Sequence, residues 1–407
     1  MAQMLYSLPP LAPDYSGVAS IFHDLGALTI IHDASGCTGT YTGYDEPRWF
    51  GSTSPTFSSG LRDMDAIMGE DEKLLEKIEA ALKTTGAPWV VIVGSPVPMV
   101  VGFDFRGFAS LIEHRLGVPA FGFPTNGLGY YDKGQRDAYL AIAGRFLKDA
   151  PVKNPRRVNI LGASVLDGFD DATLDMMEGF LNDAGLELGA IWGARSGREA
   201  LGDSGGAGAN WVVSAAALPL ARFLQTRFGT PFTMGFPVGK QESSRILSAL
   251  SNYIDGKTVD PKNSIPDTSK QTSEAGTIII GEPVFCSSLR VYLEDEYGGE
   301  PVRIGTFFEE GKELLGPGDC FFGGELEAEQ FFAKPGLKRV IADPIIEDLL
   351  PGNASIEFIP LPHRAISGRI YEESRSLWAL LATPTLVGKF PAQCKSLAVT
   401  DCLAVPG

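Results

Sequence analysis

The chain has few histidines and no cysteine pair at metal-site spacing. Its four histidines, His23, His32, His114 and His363, form no H-x-H or H-E-x-x-H pattern, which argues against a histidine-built metal centre. Its five cysteines, Cys37, Cys286, Cys320, Cys394 and Cys402, lie far apart. Without a C-x-x-C pair, neither a zinc ribbon nor a ferredoxin-type cluster held by one chain is expected. The odd, widely spaced set also argues against a disulfide scaffold and for a reducing cytoplasm. Positive charge is in deficit, with 34 Lys and Arg against 50 Asp and Glu and a net charge of -16. That balance argues against nucleic acid or an anionic membrane surface as the main partner. No run of about 18 apolar residues occurs, so no membrane span is expected. Met1 to Pro13 has neither a basic start nor a long apolar core and does not read as a signal peptide. No G-x-G-x-x-G follows a strand-like run, so dinucleotide binding is not indicated. Gly202 to Gly208 is glycine-rich but lacks the lysine and spacing of a phosphate-binding loop, and reads as a flexible connection.

What is present is a chain of 407 residues, 44% hydrophobic and 21% charged, which fits a soluble protein of two or three domains. Apolar strand-like runs alternate with amphipathic helical stretches. Helices are expected over 71–83, 105–116, 132–148, 171–184, 218–228 and 287–297. Strands are expected over 27–31, 89–93, 118–123, 157–161, 188–192, 211–214, 277–281, 302–307 and 340–342. This order predicts parallel sheets covered by helices. Pro151 to Pro155 and the polar stretch 260–275 read as linkers. The expected organisation is α/β, with three tandem Rossmann-like parallel-sheet domains around a central cleft. They span 1–150, 151–270 and 271–407, the last with a C-terminal helix and tail.

Chemistry concentrates at strand ends. Ala27 to Ile31 feeds a turn, His32-Asp-Ala-Ser-Gly36-Cys37-Thr-Gly39, in which Gly36 and Gly39 allow a sharp turn and leave little bulk around the sulfur. A ligating or attacking thiol and a buried structural cysteine are equally compatible with these residues. His32 is more simply a group hydrogen-bonding the turn than a catalytic base. Tyr41, Tyr44, Trp49 and Phe50 could shield a cluster or pack an interface, and are core residues by default. Ser95, before a Gly/Pro-rich turn, and Asn126 should share the rim with Cys37, because parallel strands line a crevice with their carboxyl ends. By the same rule a pocket between domains is expected near Ser95, Asn126, Ser214, Cys286 and His363. His363 and Arg364 are the catalytic candidates, able together to hold an acidic group or donate a proton. Both could equally cap a strand end. Cys286 sits where a helix start would favour a thiolate, but a plain structural role is the simpler reading. Cys320 reads as core, and Cys394 and Cys402 as tail residues without catalytic work.

Taken in order, these segments resemble the component 1 family of nitrogenase and nitrogenase-like oxidoreductases over nearly the whole length. The turn ending in Gly36-Cys37 is similar to the family's H-G-P-x-G-C turn, whose cysteine ligates an iron–sulfur cluster. Asp63-Met-Asp65 to Gly69, then Lys73-Leu74 and Ile78, resembles its E-x-D-x-V-F-G-G segment and following helix. Gly94-Ser95-Pro96 with Gly102-Phe103-Asp104 resembles its T-C-P…I-G-D-D turn. Val118 to Gly127, Arg157 to Gly162, and Phe228 to Pro231 with Pro237 to Gly239 match further segments. Two family cysteines are replaced here, one within Phe57-Ser58-Ser59 and one by Ser95. The cysteine that holds the nitrogenase cofactor has no counterpart in Val213-Ser214-Ala215-Ala216. The resemblance therefore implies one cysteine ligand, Cys37, with Gly36 and Ser95 around it, in a 4Fe-4S or larger cluster whose other ligands come from a second component 1-like chain, a nearby Asp such as Asp33, or a small molecule. It also implies an ATP-dependent iron protein as electron donor. The substrate would be a small molecule or a tetrapyrrole; alternatively the chain is an assembly scaffold for a cluster precursor.

Overall fold

All strand pairing within the sheets of the computed structural model is parallel. The structure describes residues 6–49, 55–69, 71–257, 275–296, 300–352 and 355–370. Cys394, Cys402, Phe50, the C-terminal helix and tail, and nearly all of the 260–275 linker lie outside them. The first sheet holds β1 (Leu28–His32), β2 (Thr56–Ser58), β3 (Val90–Gly94) and β4 (Ala120–Phe123), in the order β2-β1-β3-β4. The second holds β5 (Asn154–Leu161), β6 (Glu187–Trp192), β7 (Ala207–Val212) and β8 (Phe232–Met234), in the order β6-β5-β7-β8. The third holds β9 (Thr277–Ile280), β10 (Val302–Thr306), β11 (Cys320–Phe321), β12 (Arg339–Ala342) and β13 (Glu357–Pro360), in the order β11-β10-β9-β12-β13. Every residue of β1, β3 and β9 is buried, which is why these strands read as unbroken apolar runs.

Each sheet therefore reverses its winding once. The reversals fall between β1 and β3, between β5 and β7, and between β9 and β12. Loops diverge at such points and leave a crevice beyond the strand ends. The cores are shared across sheets: Val91 and Val93 join Leu161, Trp192 and Val212 in one cluster, and Ile160 and Trp211 join Ile279 and Ile304 in another.

Several expectations change. The helix Gly239–Ile254 and the strands β2, β11 and β13 were not anticipated. The third unit's first helix starts earlier and is shorter, Pro283–Val291, followed by a wider turn over Tyr292–Glu296. The 151–155 linker is partly strand, since β5 begins at Asn154. Gly202 to Gly208 is not a flexible connection, because Ser204–Gly206 forms a buried helical turn and Ala207 opens β7. Its glycines admit backbone instead: a Cβ on Gly206 would lie 2.1 Å from the Val152 carbonyl oxygen. No helix among the described residues is long and apolar enough to cross a membrane.

The helix Asp14–His23, buried along its whole length, crosses the helix Tyr131–Phe146 at backbone contact. A Cβ on Gly17 would lie 2.0 Å from the Tyr131 carbonyl oxygen, and one on Gly134 would lie 1.9 Å from that of Asp14. Gly134→Ala should force the helices apart and destabilise the protein by about 2–3 kcal/mol. Gly144→Ala, on the same helix but facing open space, should be neutral or stabilising by up to about 1 kcal/mol. Urea unfolding of the two variants checks the contrast.

Candidate functional site

Pairing of β1 with β3 sets His32 opposite Gly94, so the segments that follow, Asp33 to Cys37 and Ser95, emerge side by side. The expected open turn is a short helix, Gly36–Thr40, entered through Ser35 at φ 116°. The sharp turn is thus made by Ser35 and not by Gly36 or Gly39, neither of which has a positive φ. The two glycines leave open space, with nothing within 4 Å of a Cβ added at either. Cys37 is half-buried, and Ser95 is buried beside it, donating its hydroxyl proton to the His32 carbonyl at 2.9 Å. Burial pushes the Cys37 thiol up and the Asp33 charge adds to this, while hydrogen bonds to Tyr15 and Ser95 pull it down. His32 is a packed residue. Its Nδ1 lies 2.8 Å from the Ser59 hydroxyl, its ring packs on Phe103, and burial pulls it down to about 4.

The Asp33 carboxylate is engaged by the backbone and hydroxyl of Thr38 and by the Ser58 hydroxyl. Among the described residues no group of three or more His, Cys, Asp or Glu is placed to hold a metal ion. One thiol is what this chain offers here, so the residues fit a metal–sulfur cluster only as one shared with other ligands. Around this end of the sheet the surface is apolar. Tyr44, Phe57, Val97, Met99 and Val101 are exposed, and Val100 is 86% exposed.

The Ser95 rim and the His363 pocket are separate places. Asn126 and Gly127 belong with the first: their amides donate to the Asp14 carboxylate, and Gly127 packs on Pro96 and Tyr15. A cavity of about 20 Å³ lies instead where the second and third sheets meet, lined by Asp167, Glu282, Phe285, Cys286 and His363 among others. Cys286 and His363 are thus brought together, while Ser95, Asn126, Ser214 and Arg364 are not among its lining residues. Burial pushes Cys286 well up, so the helix start does not yield a thiolate.

Asp167, Glu282 and Asp132 were missed by sequence reasoning. Asp167 ends the turn after β5, and Glu282 follows β9 and caps the next helix by accepting from the Phe285 amide at 2.7 Å. The signal was available: an acidic residue just past an apolar strand, at a winding reversal. Glu282 also accepts from the Ala215 amide at 2.8 Å, tying the third sheet to the second. Desolvation pushes Glu282 up to about 7 and Asp167 well above the carboxylate range. Tyr131 donates its hydroxyl proton to Asp167. His363 is fixed through its backbone, whose amide donates to Asp343 at 2.7 Å, and its Nε2 stands 4.0 Å from Asp167. The carboxyl nearest this imidazole is that of Asp167.

The family model of nitrogenase component 1 type oxidoreductases matches residues 14–316. A nitrogenase iron-molybdenum cofactor biosynthesis protein NifE from Bradyrhizobium diazoefficiens is 23% identical over 206 residues, 49% of this chain and 36% of the relative. NifE from Sinorhizobium fredii is 24% identical over 245 residues, 57% of this chain and 47% of the relative. The chain thus matches less than half the length of these curated relatives. Among solved structures, nitrogenase Cp1 at pH 6.5 superposes with a TM-score of 0.68 at 14% identity, covering 100% of this chain and 98% of that one. At that identity the match establishes the fold.

Burial pulls His363 down to about 4 from an ordinary 6.5, so the native state binds the neutral ring. At this residue the native state then holds fewer protons than the unfolded one between those values, so the His363 contribution to stability falls as pH drops from about 6.5 towards 4. His363→Gln should lose that part of the acid sensitivity. Urea midpoints of both proteins measured across this pH range check it.

Proposed function

Because the chain belongs to the family of nitrogenase component 1 type oxidoreductases, we propose that it is a reductase subunit whose Cys37 ligates an iron–sulfur cluster at a subunit interface. The observation that carries this reading is the half-buried Cys37 thiol in glycine-opened space beside an exposed apolar face. An iron–sulfur cluster bound there, 4Fe-4S or larger, supplies electron transfer. This chain's residues do the positioning. Ser35 aims the short helix, Tyr15 offers a hydrogen bond to the sulfur, Ser95 stands beside it with its proton on the His32 carbonyl, and Gly36 keeps the approach clear. The raised thiol means that ligation must displace a proton, which a metal cation does.

In this reading the remaining ligands come from a second component 1-like chain, a copy or a relative, which covers the face around Val100. Electrons come from an ATP-dependent, nitrogenase-reductase-like iron protein in the cytoplasm. The reducible small-molecule or tetrapyrrole-type substrate occupies the cleft between the three units. We place the boundaries of the three units near residues 150 and 270. A scaffold that holds a cluster precursor is the second reading, favoured by the cofactor-biosynthesis relatives. Oxidation of reduced iron protein in the presence of ATP distinguishes the reductase from the scaffold.

Protein purified anaerobically, with its partner where one is required, should contain iron and acid-labile sulfide. Cys37→Ala should lose the iron and keep its circular dichroism; full iron content in this variant would refute the assignment.

Val100→Asp should dissociate the assembly, since it sets an unpaired charge in a desolvated apolar interface. Sedimentation at micromolar concentration checks this, and a monomeric wild-type protein in the presence of its partner would contradict the shared site.

A further inference from the structure

Three carboxyls converge where the three sheets meet. Asp132, Asp167 and Glu282 are 3%, 5% and 4% exposed. Charge couples them: Asp132 and Glu282 raise the proton affinity of Asp167, and Asp132 raises that of Glu282. Their hydrogen-bond partners are neutral: the Glu310 amide for Asp132, the Tyr131 hydroxyl for Asp167, and the Ala215 and Phe285 amides for Glu282. The nearest arginine on this helix, Arg136, is bound to Asp137 and Glu310. Several buried atoms are left without a hydrogen bond: Asp132 Oδ1, Asp167 Oδ2, Gln135 Oε1, the Tyr139 hydroxyl and both ring nitrogens of His363. A neutral imidazole offers one acceptor nitrogen, so this set is dominated by acceptors. What the cluster lacks is hydrogen-bond donors that carry positive charge.

We propose that the cavity beside Asp167, Glu282 and His363 binds a compact cation with N–H donors, an ammonium ion or the protonated head of a small amine. This rests on reading the cavity as the ligand site, and names the chemical class that it takes. The volume of about 20 Å³ admits one water-sized group, the size of an ammonium head. Phe169, Ile280, Phe285 and Leu361 wall it with apolar surface, so a bound charge must be met by the carboxyls. The unpartnered Asp167 Oδ2 belongs to a residue lining the cavity. Carboxylate or phosphate ligands meet like charge here. Metal ions are disfavoured, since no three metal-competent groups are suitably placed among the described residues.

Binding is linked to protons. Without a cation the carboxyls hold protons, Glu282 titrating near 7. On binding, a carboxyl O–H breaks, its proton leaves to solvent, and the carboxylate pairs with the cation. The other titratable groups facing the cluster are Tyr131, Tyr139, His363 with Asp343 at its backbone, Cys286 with the buried Arg290–Asp319 pair, and the Arg136–Glu310 pair. The two positive charges are held by carboxylates of their own, Arg290 by Asp319 and Arg136 by Asp137 and Glu310, and neither lines the cavity.

The test uses the full chain, with its partner where one is required, and ammonium, methylammonium or potassium chloride at matched ionic strength. Ammonium should raise the thermal midpoint more than potassium. Its affinity, measured by calorimetry, should rise with pH by up to about tenfold per unit below 7, with proton release seen as a buffer-dependent heat. The isosteric Asp167→Asn, which still accepts from Tyr131, should weaken ammonium binding about tenfold or more. Equal midpoint shifts from ammonium and potassium, or an affinity independent of pH, would overturn the proposal even if that variant fails to fold. Cys37→Ala should bind ammonium normally, so the fate of this inference and that of the iron–sulfur assignment are read separately.

Discussion

The contact on which both sites depend is the crossing of the helices Asp14–His23 and Tyr131–Phe146. It works because Gly17 and Gly134 let one backbone touch the other. The first helix delivers Asp14 to the Asn126–Gly127 turn, Tyr15 to the Cys37 thiol and Ser16 to Asp45, where the hydroxyl donates at 2.6 Å. The second delivers Tyr131, Asp132 and Gln135 to the carboxyl cluster. A shift of this pair by a methyl group would move the walls of both sites at once.

The two sites are built on opposite electrostatic terms. At Cys37 the group of interest is half-buried, faces space, and is hydrogen-bonded by hydroxyls. It suits a partner that brings its own charge and further ligands. At the sheet junction everything is enclosed. Burial keeps His363 neutral and holds protons on acids that would be ionised in water. Glu282 is also structural there, since its two oxygens tie a helix of the third sheet to the end of the second. A ligand at this point would therefore act on the joint between the sheets as well as on the acids.

Family membership and local chemistry point in compatible directions but carry different weights. The match over residues 14–316 and the superposition over the whole chain fix the architecture. They do not decide between reduction and cofactor assembly, because the relatives named for assembly are matched over less than half their length. In the reading proposed above, the sulfur at Cys37 would serve either role.

The sequence by itself determined the parallel α/β architecture. Strands such as Val90–Gly94 are buried on both faces and so read as unbroken apolar runs, and helices such as Leu218–Phe228 carry a one-sided stripe ending at a glycine. It also singled out Cys37 and its neighbour Ser95, because both follow strand ends within short, recognisable turns. Short edge strands such as β11 were not legible, since two residues carry no periodicity. The glycine-rich 202–208 stretch was misread because a glycine that admits a neighbouring backbone looks, in sequence, like one that grants flexibility. Only the tertiary structure decided that Ser95 and His363 belong to different sites, and that Asp167 and Glu282 line one cavity with Asp132 near enough to act on both by its charge. These acids come from three different sheets or their connections. Their proximity depends on how the sheets dock, and their proton affinities depend on a burial that no local pattern encodes.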